Sequence, residues 1–516
     1  MSMTIEEIES TLKLARIKYN EFCEKVEKMQ NTYVKRIDEL EEELNALKKA
    51  TKTPAPFSLD LSGFKKVDNP SLKAPVSSSS LPPKKEPIDT NSKEAKTAKE
   101  GIELIRNTLI PEQQPAFDIL MSGKNTFLSG EAGAGKSFVL RAFIDALKIL
   151  KKNVLITAPT GVAAINVGGT TLHRAFKAPT DPIVDPSSKS TNDDVVESAD
   201  VIIIDEISMC RQDLFSFVGT KIKNAYIKTG KQIQVVVVGD FFQLPPVITN
   251  TDKSVLGEIG KGFAFQSPLW QFFKFTPVIL TKVVRQDDIN FITNLNKIRV
   301  GDKSGIDWIN ANASPDLNDG IYLCGVNKLA SDINLKKLEE LDAEEVVYDA
   351  EETGIVSAQE KATDEHLSLK VGAKVMFLIN DSMGRYTNGS LGVIKKCCRD
   401  YVIVNIGDTD IIVQYHTWEV YDYKVVRDGK KAKLKKVLRG SFSQLPLRLA
   451  YAITIHKSQG QTYDKVNLYP DCFECGQLYV ALSRATSTKG LHLMSPLSFK
   501  ALRTAPEVLN FYRSLV

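Results

Sequence analysis

The sequence predicts an α/β fold built on parallel sheets, preceded by an N-terminal coiled-coil helix. Three observations carry the α/β reading. A short apolar strand at Thr126–Leu128 runs into Gly130-Glu131-Ala132-Gly133-Ala134-Gly135-Lys136-Ser137, and an apolar-periodic helical run follows. Val201–Ile204 is wholly apolar, as a parallel strand buried on both faces must be, and it delivers Asp205-Glu206 at its carboxyl end. Asn153–Thr157 and Gln234–Val238 supply two further strands.

At 516 residues the chain is too long for one ordinary core. A content of 43% hydrophobic and 25% charged residues is that of a globular protein, and the charged N-terminus does not read as a signal. With no apolar run of spanning length, the expectation is an intracellular protein with no membrane partner, nucleus and cytoplasm left open. Seven scattered cysteines fit a reducing compartment; the lone pair Cys472 and Cys475 lacks the second pair a zinc site needs. A net charge of +4 is mild, so any nucleic-acid surface must come from local clustering.

In residues 1–50 an apolar stripe runs Ile5, Ile8, Leu12, Ala15, Tyr19, Phe22, Val26, Met29, then resumes at Ile37, Leu40, Leu44 and Leu47 after a stutter. It reads as a coiled coil wanting a protein partner or a second copy, or as one amphipathic helix docked on its own chain. Residues 51–101 turn to Pro, Ser, Lys and Thr, the composition of a disordered linker.

The loop Gly130–Ser137 has Walker A spacing. Glycines let backbone wrap a phosphate, the helix N-terminus presents unpaired N–H groups, Lys136 neutralises the β/γ oxygens and Ser137 holds Mg²⁺. The implied ligands are ATP and Mg²⁺. Upstream, Gln113 offers the donor and acceptor that an adenine edge requires, but taken alone it reads as a surface glutamine. Ala158-Pro159-Thr160-Gly161 and Gly168-Gly169-Thr170-Thr171-Leu172-His173 place small and hydroxyl residues where a backbone phosphate could approach, and read equally as an ordinary strand–turn–helix connection. Asp205 and Glu206 divide two tasks, Mg²⁺ through water and the attacking water. Gln243, in Gly239-Asp240-Phe241-Phe242-Gln243-Leu244-Pro245-Pro246, is placed to sense a γ-phosphate. Arg285 and Arg484 are either cations brought in opposite the phosphate loop from a second domain, or surface ion-pair residues.

GEAGAGKS, APTGVAA, GGTTLH, IIIDEISM, VVGDFFQLPPV, KVVRQ, LKVGAKVMF with TNGSLG, ITIHKSQGQT and GQLYVALSRA occur in that order. Together they resemble the Pif-type (petite integration frequency) DNA helicases, RecD-like members of superfamily 1B, over about residues 102–497. The resemblance implies two RecA-like domains, residues 102–276 and 277–370 with 444–516, around one ATP site. It implies that Gln113 reads adenine, that Lys136, Glu206, Gln243, Arg285 and Arg484 serve hydrolysis, and that Ser137 and Asp205 hold the metal. Thr160, Thr171 and His173, with Thr454, His456 and Ser458 from the second domain, would line a single strand.

Between 371 and 443 the resemblance implies a small inserted β-barrel, and Lys374–Leu378, Leu391–Lys395, Tyr401–Ile406 and Ile411–Tyr415 are short β-rich runs. Tyr421–Gly440 gathers Lys424, Arg427, Lys430, Lys431, Lys433, Lys435, Lys436 and Arg439, either a hairpin facing DNA phosphates or a solvated turn. The function expected is an ATP-dependent 5′→3′ helicase acting on single-stranded and tailed duplex DNA, in replication, repair, recombination or telomere maintenance. Its polarity comes from the resemblance alone. The rivals are a translocase or protein-displacing ATPase, and a scaffold whose coiled coil tethers the motor to a replication complex.

Overall fold

The computed structural model describes residues 98–516, apart from 180, 186–193, 249–251, 253–254, 257–261, 287, 318, 382, 429–430 and 516. The expected coiled coil, and the expected linker up to residue 97, lie outside the described residues. The linker's last residues are helical instead, in Ala98–Arg106. A lysine-rich composition hides this helix, which is ordered by packing Ile102 and Ile105 on the core beneath the phosphate loop.

The largest sheet has six parallel strands: β1 (Thr126–Gly130), β2 (Val154–Ala158), β3 (Thr170–Thr171), β4 (Val201–Ile204), β5 (Gln234–Val238) and β6 (Thr276–Leu280), in the order β3-β2-β4-β5-β1-β6. β1, β4 and β5 are buried along their whole length because helices cover both faces. Leu128, Ile203 and Val236 point toward helix Lys136–Ile149, whereas Phe127, Ile202, Ile204 and Val237 point toward helix Gln212–Thr229. Burying each such side chain stabilises the fold by about 1.5–3 kcal/mol relative to exposure. β1, β4 and β5 release their loops at one carboxyl edge, where open α/β sheets bind ligands.

Two boundaries differ from expectation. The run around Val278 is expected to open the second half, yet β6 pairs with β1 from Thr126↔Thr276 to Gly130↔Leu280. An apolar strand does not record which sheet it will join. The C-terminal helix Pro506–Arg513, also expected in the second half, packs on the first core: Phe511 stacks on Phe265 at 4.2 Å between centroids.

A second parallel sheet has four strands, Ala452–Thr454, Ile321–Cys324, Val466–Leu468 and Leu491–Leu493 in spatial order. Leu447–Leu449, only two residues before Ala452–Thr454, belongs to a different sheet. That sheet is antiparallel and five-stranded, ordered Thr409–Gln414, Tyr401–Ile406, Leu391–Cys397, Lys374–Phe377 and Leu447–Leu449. The basic hairpin forms as strands His416–Asp428 and Lys431–Gln444, joined at its base by Glu351–Gly354. Leu447–Leu449 and Glu351–Gly354 therefore complete these sheets from outside the expected 371–443 insert.

The hairpin leans on the first sheet. Glu360 pairs with Arg174 and, at 2.7 Å, with Arg439; Arg174 Nε also lies 3.6 Å from Asp422. Leu434 N–H donates to Asn153 Oδ1 at 3.3 Å, and Lys436 Nζ donates to Gly168 O.

Candidate functional site

Gly135 caps helix Lys136–Ile149 with φ +84°, a left-handed conformation that costs glycine nothing. A Cβ at Gly135 would sit 2.2 Å from Gln113 Nε2, and one at Gly133 would sit 2.6 Å from Arg285 Cβ. The loop is therefore clasped on one side by Gln113 and on the other by Arg285. Gln113 is only 4% exposed, which rules out the surface reading. Its Nε2 donates to Ala134 O at 3.3 Å, while its buried Oε1 has no partner. Lys136 Nζ donates to Gly130 O and Glu131 O at 2.9 and 3.0 Å. Burial holds the ammonium below its ordinary value, opposed by Asp240 and Glu206 nearby. Ser137 is exposed in the first helical turn.

At the end of β4, Glu206 N–H donates to Asp205 Oδ1 at 2.9 Å. Glu206 has φ +50°, strained for a residue with a Cβ, a state that persists only where surrounding structure over-determines it. Burial raises the Asp205 carboxyl to about 6. Burial, then the adjacent Asp205 charge, raises Glu206 to about 7, with Lys136 pulling the other way. Two carboxyls this close titrate as a pair.

A loop of the second sheet and the helix Gln477–Leu482 meet this edge. Gln459 Nε2 donates to Glu206 Oε2 at 3.0 Å, and Ala132 N–H of the phosphate loop donates to Tyr479 Oη at 2.8 Å. Arg285 donates weakly to Ser483 O and Gly460 O, at 3.4 and 3.3 Å. Arg484 is 1% exposed, so it is no surface ion-pair residue. Its guanidinium donates to Val480 O at 2.9 Å, Ser458 O at 3.2 Å, Gln461 O at 2.9 Å and Ser483 Oγ at 2.8 Å. Burial and the neighbouring Arg285 lower it to about 9, with Glu206 acting in the opposite sense. Gln243 Nε2 donates to Asp240 Oδ2 at 3.4 Å, and Asp240 is held by Arg299 at 2.9 Å.

Residues 108–311 match the PIF1-like helicase family. The ATP-dependent DNA helicase Pif1 of Campylobacter jejuni is 30% identical over 441 residues, spanning 76% of this chain and 95% of that protein. The chain belongs to the PIF1-like helicase family. Unliganded Pif1 from Bacteroides sp is similar in structure, with TM-score 0.70 and 33% identity over 79% of this chain and 96% of that one. The Bacteroides Pif1 complex with ADP-AlF3 and ssDNA gives TM-score 0.56 and 32% identity over 79% of this chain and 97% of that one.

In this PIF1-like helicase the residues expected to line a strand are less uniform than their motifs. Thr160 and Thr171 cap short helices, accepting from Ala163 N at 3.3 Å and Arg174 N at 3.4 Å. Thr171 borders a cleft with Tyr421, Val420 and Glu419 of the hairpin. His173 and His456 are half-buried and held below their ordinary value by burial. Thr454 and Ser458 are buried, Ser458 completely; its hydroxyl donates to Ile455 O at 2.8 Å and its carbonyl supports Arg484. In this structure Ser458 is thus a brace beneath Arg484, not an outward-facing hydroxyl. Lys430 lies outside the described residues, and of Lys431 only the backbone, opening its strand, is described.

Gln459, Tyr479, Asp240 and Arg299 join the site without being singled out by the sequence. The first three lie inside recognisable motifs, but only their partners, far along the chain, give them meaning. Arg299 carries no local signal at all.

Proposed function

We propose that this PIF1-like helicase is an ATP-dependent DNA helicase that translocates 5′→3′ on single-stranded DNA and separates tailed duplexes. The single observation supporting it is that the second half reaches the carboxyl edge of the first sheet at two points, Tyr479 of helix Gln477–Leu482 at Ala132 of the phosphate loop and Gln459 at Glu206 after β4. Nucleotide cleavage there is linked to how the two sheets face each other, which is what a strand-walking engine requires. The bound ssDNA of the Bacteroides Pif1 complex, and the name ATP-dependent DNA helicase of the Campylobacter protein, support the substrate assignment.

The residues present fit ATP. The unpartnered, buried Gln113 Oε1 can accept from the adenine amino group, and a Cβ at Gly133 or Gly135 would crowd the loop. Lys136 would neutralise phosphate charge, Glu206 would take the proton of the attacking water, and Gln243, Arg285 and Arg484 would respond to the γ-phosphate. Of these arginines Arg285 is the freer, since its bonds are long whereas Arg484 is fully engaged. Ser137 and Asp205 would hold Mg²⁺, which would spread the phosphate charge during transfer. Two protein oxygens would leave most of a Mg²⁺ shell to phosphate oxygens and water, as is usual for this ion.

Thr160, Thr171 and His173 on one side, and His456 on the other, would grip the strand, with the five-stranded antiparallel sheet acting as a small barrel beside it; buried Thr454, which accepts from Lys457 N–H at 3.3 Å, would shape the turn carrying His456. A coiled coil at 1–50, on its 51–97 tether, would recruit a protein partner or a second copy, placing the engine in replication, repair, recombination or telomere maintenance. The deciding experiment is unwinding of two duplexes that differ only in which end bears the single-stranded tail. Separation of the 5′-tailed duplex alone is expected; equal separation of both, or of neither despite DNA-stimulated ATPase, overturns the reading.

A further inference from the structure

Tyr512 sits on the C-terminal helix, yet its hydroxyl lies at the root of the phosphate loop. It is 2.6 Å from Ser129 Oγ, the residue directly before Gly130, and it donates to Asp240 Oδ1 at 3.3 Å. Phe241 N–H also donates to Tyr512 Oη, at 3.3 Å. One hydroxyl has one proton, so with Tyr512 donating to the carboxylate, Ser129 must donate to Tyr512. The result is a relay, Ser129 to Tyr512 to Asp240.

Asp240 is 1% exposed and collects further donors. Arg299 forks onto both its oxygens at 2.9 and 3.3 Å, Phe242 N–H reaches Oδ1 at 3.2 Å, and Gln243 Nε2 reaches Oδ2 at 3.4 Å. Arg299 belongs to helix Ile289–Arg299, whose Phe291, Leu295 and Ile298 pack in the second sheet's core. Its guanidinium lies 4.2 Å from the Phe242 ring centroid and 5.4 Å from that of Tyr512. The Tyr512 ring itself stacks on Phe242 at 4.7 Å.

We infer that Tyr512 is a positioning residue for nucleotide cleavage: its hydroxyl ties the phosphate-loop root to the Asp240 carboxylate and so sets the orientation of Gln243. The inference rests on the reading of this edge as the ATP site. The carboxylate is fully enclosed and fixed by Arg299 at 2.9 Å, so the longer bonds from Tyr512 and Gln243, at 3.3 and 3.4 Å, have few alternative geometries. Arg299 brings the second sheet's helical layer into the same joint. A shift of one body relative to the other therefore reaches Gln243 through Asp240, without passing through the nucleotide.

The test is steady-state ATPase of the full chain with single-stranded DNA, comparing Tyr512→Phe, Ser129→Ala and the double variant with wild type. Tyr512→Phe keeps the ring stack and removes only the hydroxyl. The expected result is a kcat about tenfold lower with KM for ATP within about threefold, as removal of an orienting hydrogen bond gives. Because both residues act in one relay, the double variant should be no worse than the poorer single. A purely structural tyrosine would lower the melting temperature and leave kcat intact well below it; that outcome, or additive losses in the double variant, overturns the inference. Should wild type itself show no ATPase, it is the assignment of the ATP site that fails, a result distinct from either.

Discussion

Gln459, in the loop after the strand Ala452–Thr454, donates through Nε2 to the Glu206 carboxylate at 3.0 Å. Glu206 ends a strand of the first sheet, so this bond joins the two sheets at the group expected to accept the water proton. Removing it by Gln459→Ala should lower DNA-stimulated kcat about tenfold while basal turnover changes less, because the variant deletes only the bond through which the second sheet reaches the base. ATPase with and without single-stranded DNA measures this, and an unchanged stimulation ratio refutes it.

Lys136→Ala should abolish turnover and leave strand binding within about twofold, since the ammonium faces the phosphate loop and not the strand-gripping motifs. Fluorescence anisotropy of labelled single-stranded DNA, alongside phosphate release, separates the two effects.

Arg484→Lys keeps a charge but cannot reproduce a guanidinium that reaches Val480 O, Ser458 O, Gln461 O and Ser483 Oγ at once. Turnover should fall by about 10²–10³-fold, close to the range that arginine-finger removals give. A melting temperature several degrees lower should accompany it, because the loop carrying Ser458 loses its brace. Arg285→Lys should lower turnover without that thermal penalty, since its own bonds are long.

Burial, then the Asp205 charge, raises Glu206 to about 7 in the fold, against 4.5 ordinarily. The folded state holds a proton that the unfolded chain has released between those values. Its stabilising contribution is therefore complete below pH 4.5 and lost as pH rises through about 7. Activity runs the other way, because a base must be deprotonated: kcat/KM for ATP should rise across the same interval. Denaturant unfolding of Glu206→Gln at pH 5 and pH 8 should show a flatter pH trend than wild type; an identical trend removes Glu206 as its source.

Lys424 stands directly opposite Lys435 across the basic hairpin, a like-charge pair that costs stability unless anions lie nearby. Lys433→Glu with Lys435→Glu should weaken strand binding and flatten its salt dependence, by about one unit of slope for each phosphate left without its lysine. Affinities measured at several salt concentrations decide it, and an unchanged slope means that the hairpin is merely solvated.

What the sequence discloses is local. The phosphate loop is legible because Gly130, Gly135, Lys136 and Ser137 do their work within eight residues, and Asp205-Glu206 because a fully apolar strand announces its own burial. Gln113 is half legible: its position is, and its burial is not, since that depends on Ala134 being folded onto it. β6 reads as part of the second half because hydrophobicity marks a strand without marking its neighbour. Ser458 misleads for a related reason, as a hydroxyl in a motif does not show which way it turns. Arg299 and Tyr512 are invisible because their partner Asp240 lies 59 and 272 positions away.

The separation between Ser129 and Tyr512, 383 positions, bears on how the protein is made. As the chain leaves the ribosome, Phe127, Phe241 and Trp270 must wait for Phe511 before their cluster closes. Nascent chains therefore carry an uncovered aromatic surface from Trp270 until Phe511 emerges, the condition under which newborn proteins aggregate or need chaperones. An excised fragment ending at Leu280 would keep that surface permanently, so the phosphate-loop half should resist isolation as a soluble unit unless the last helix is supplied alongside it.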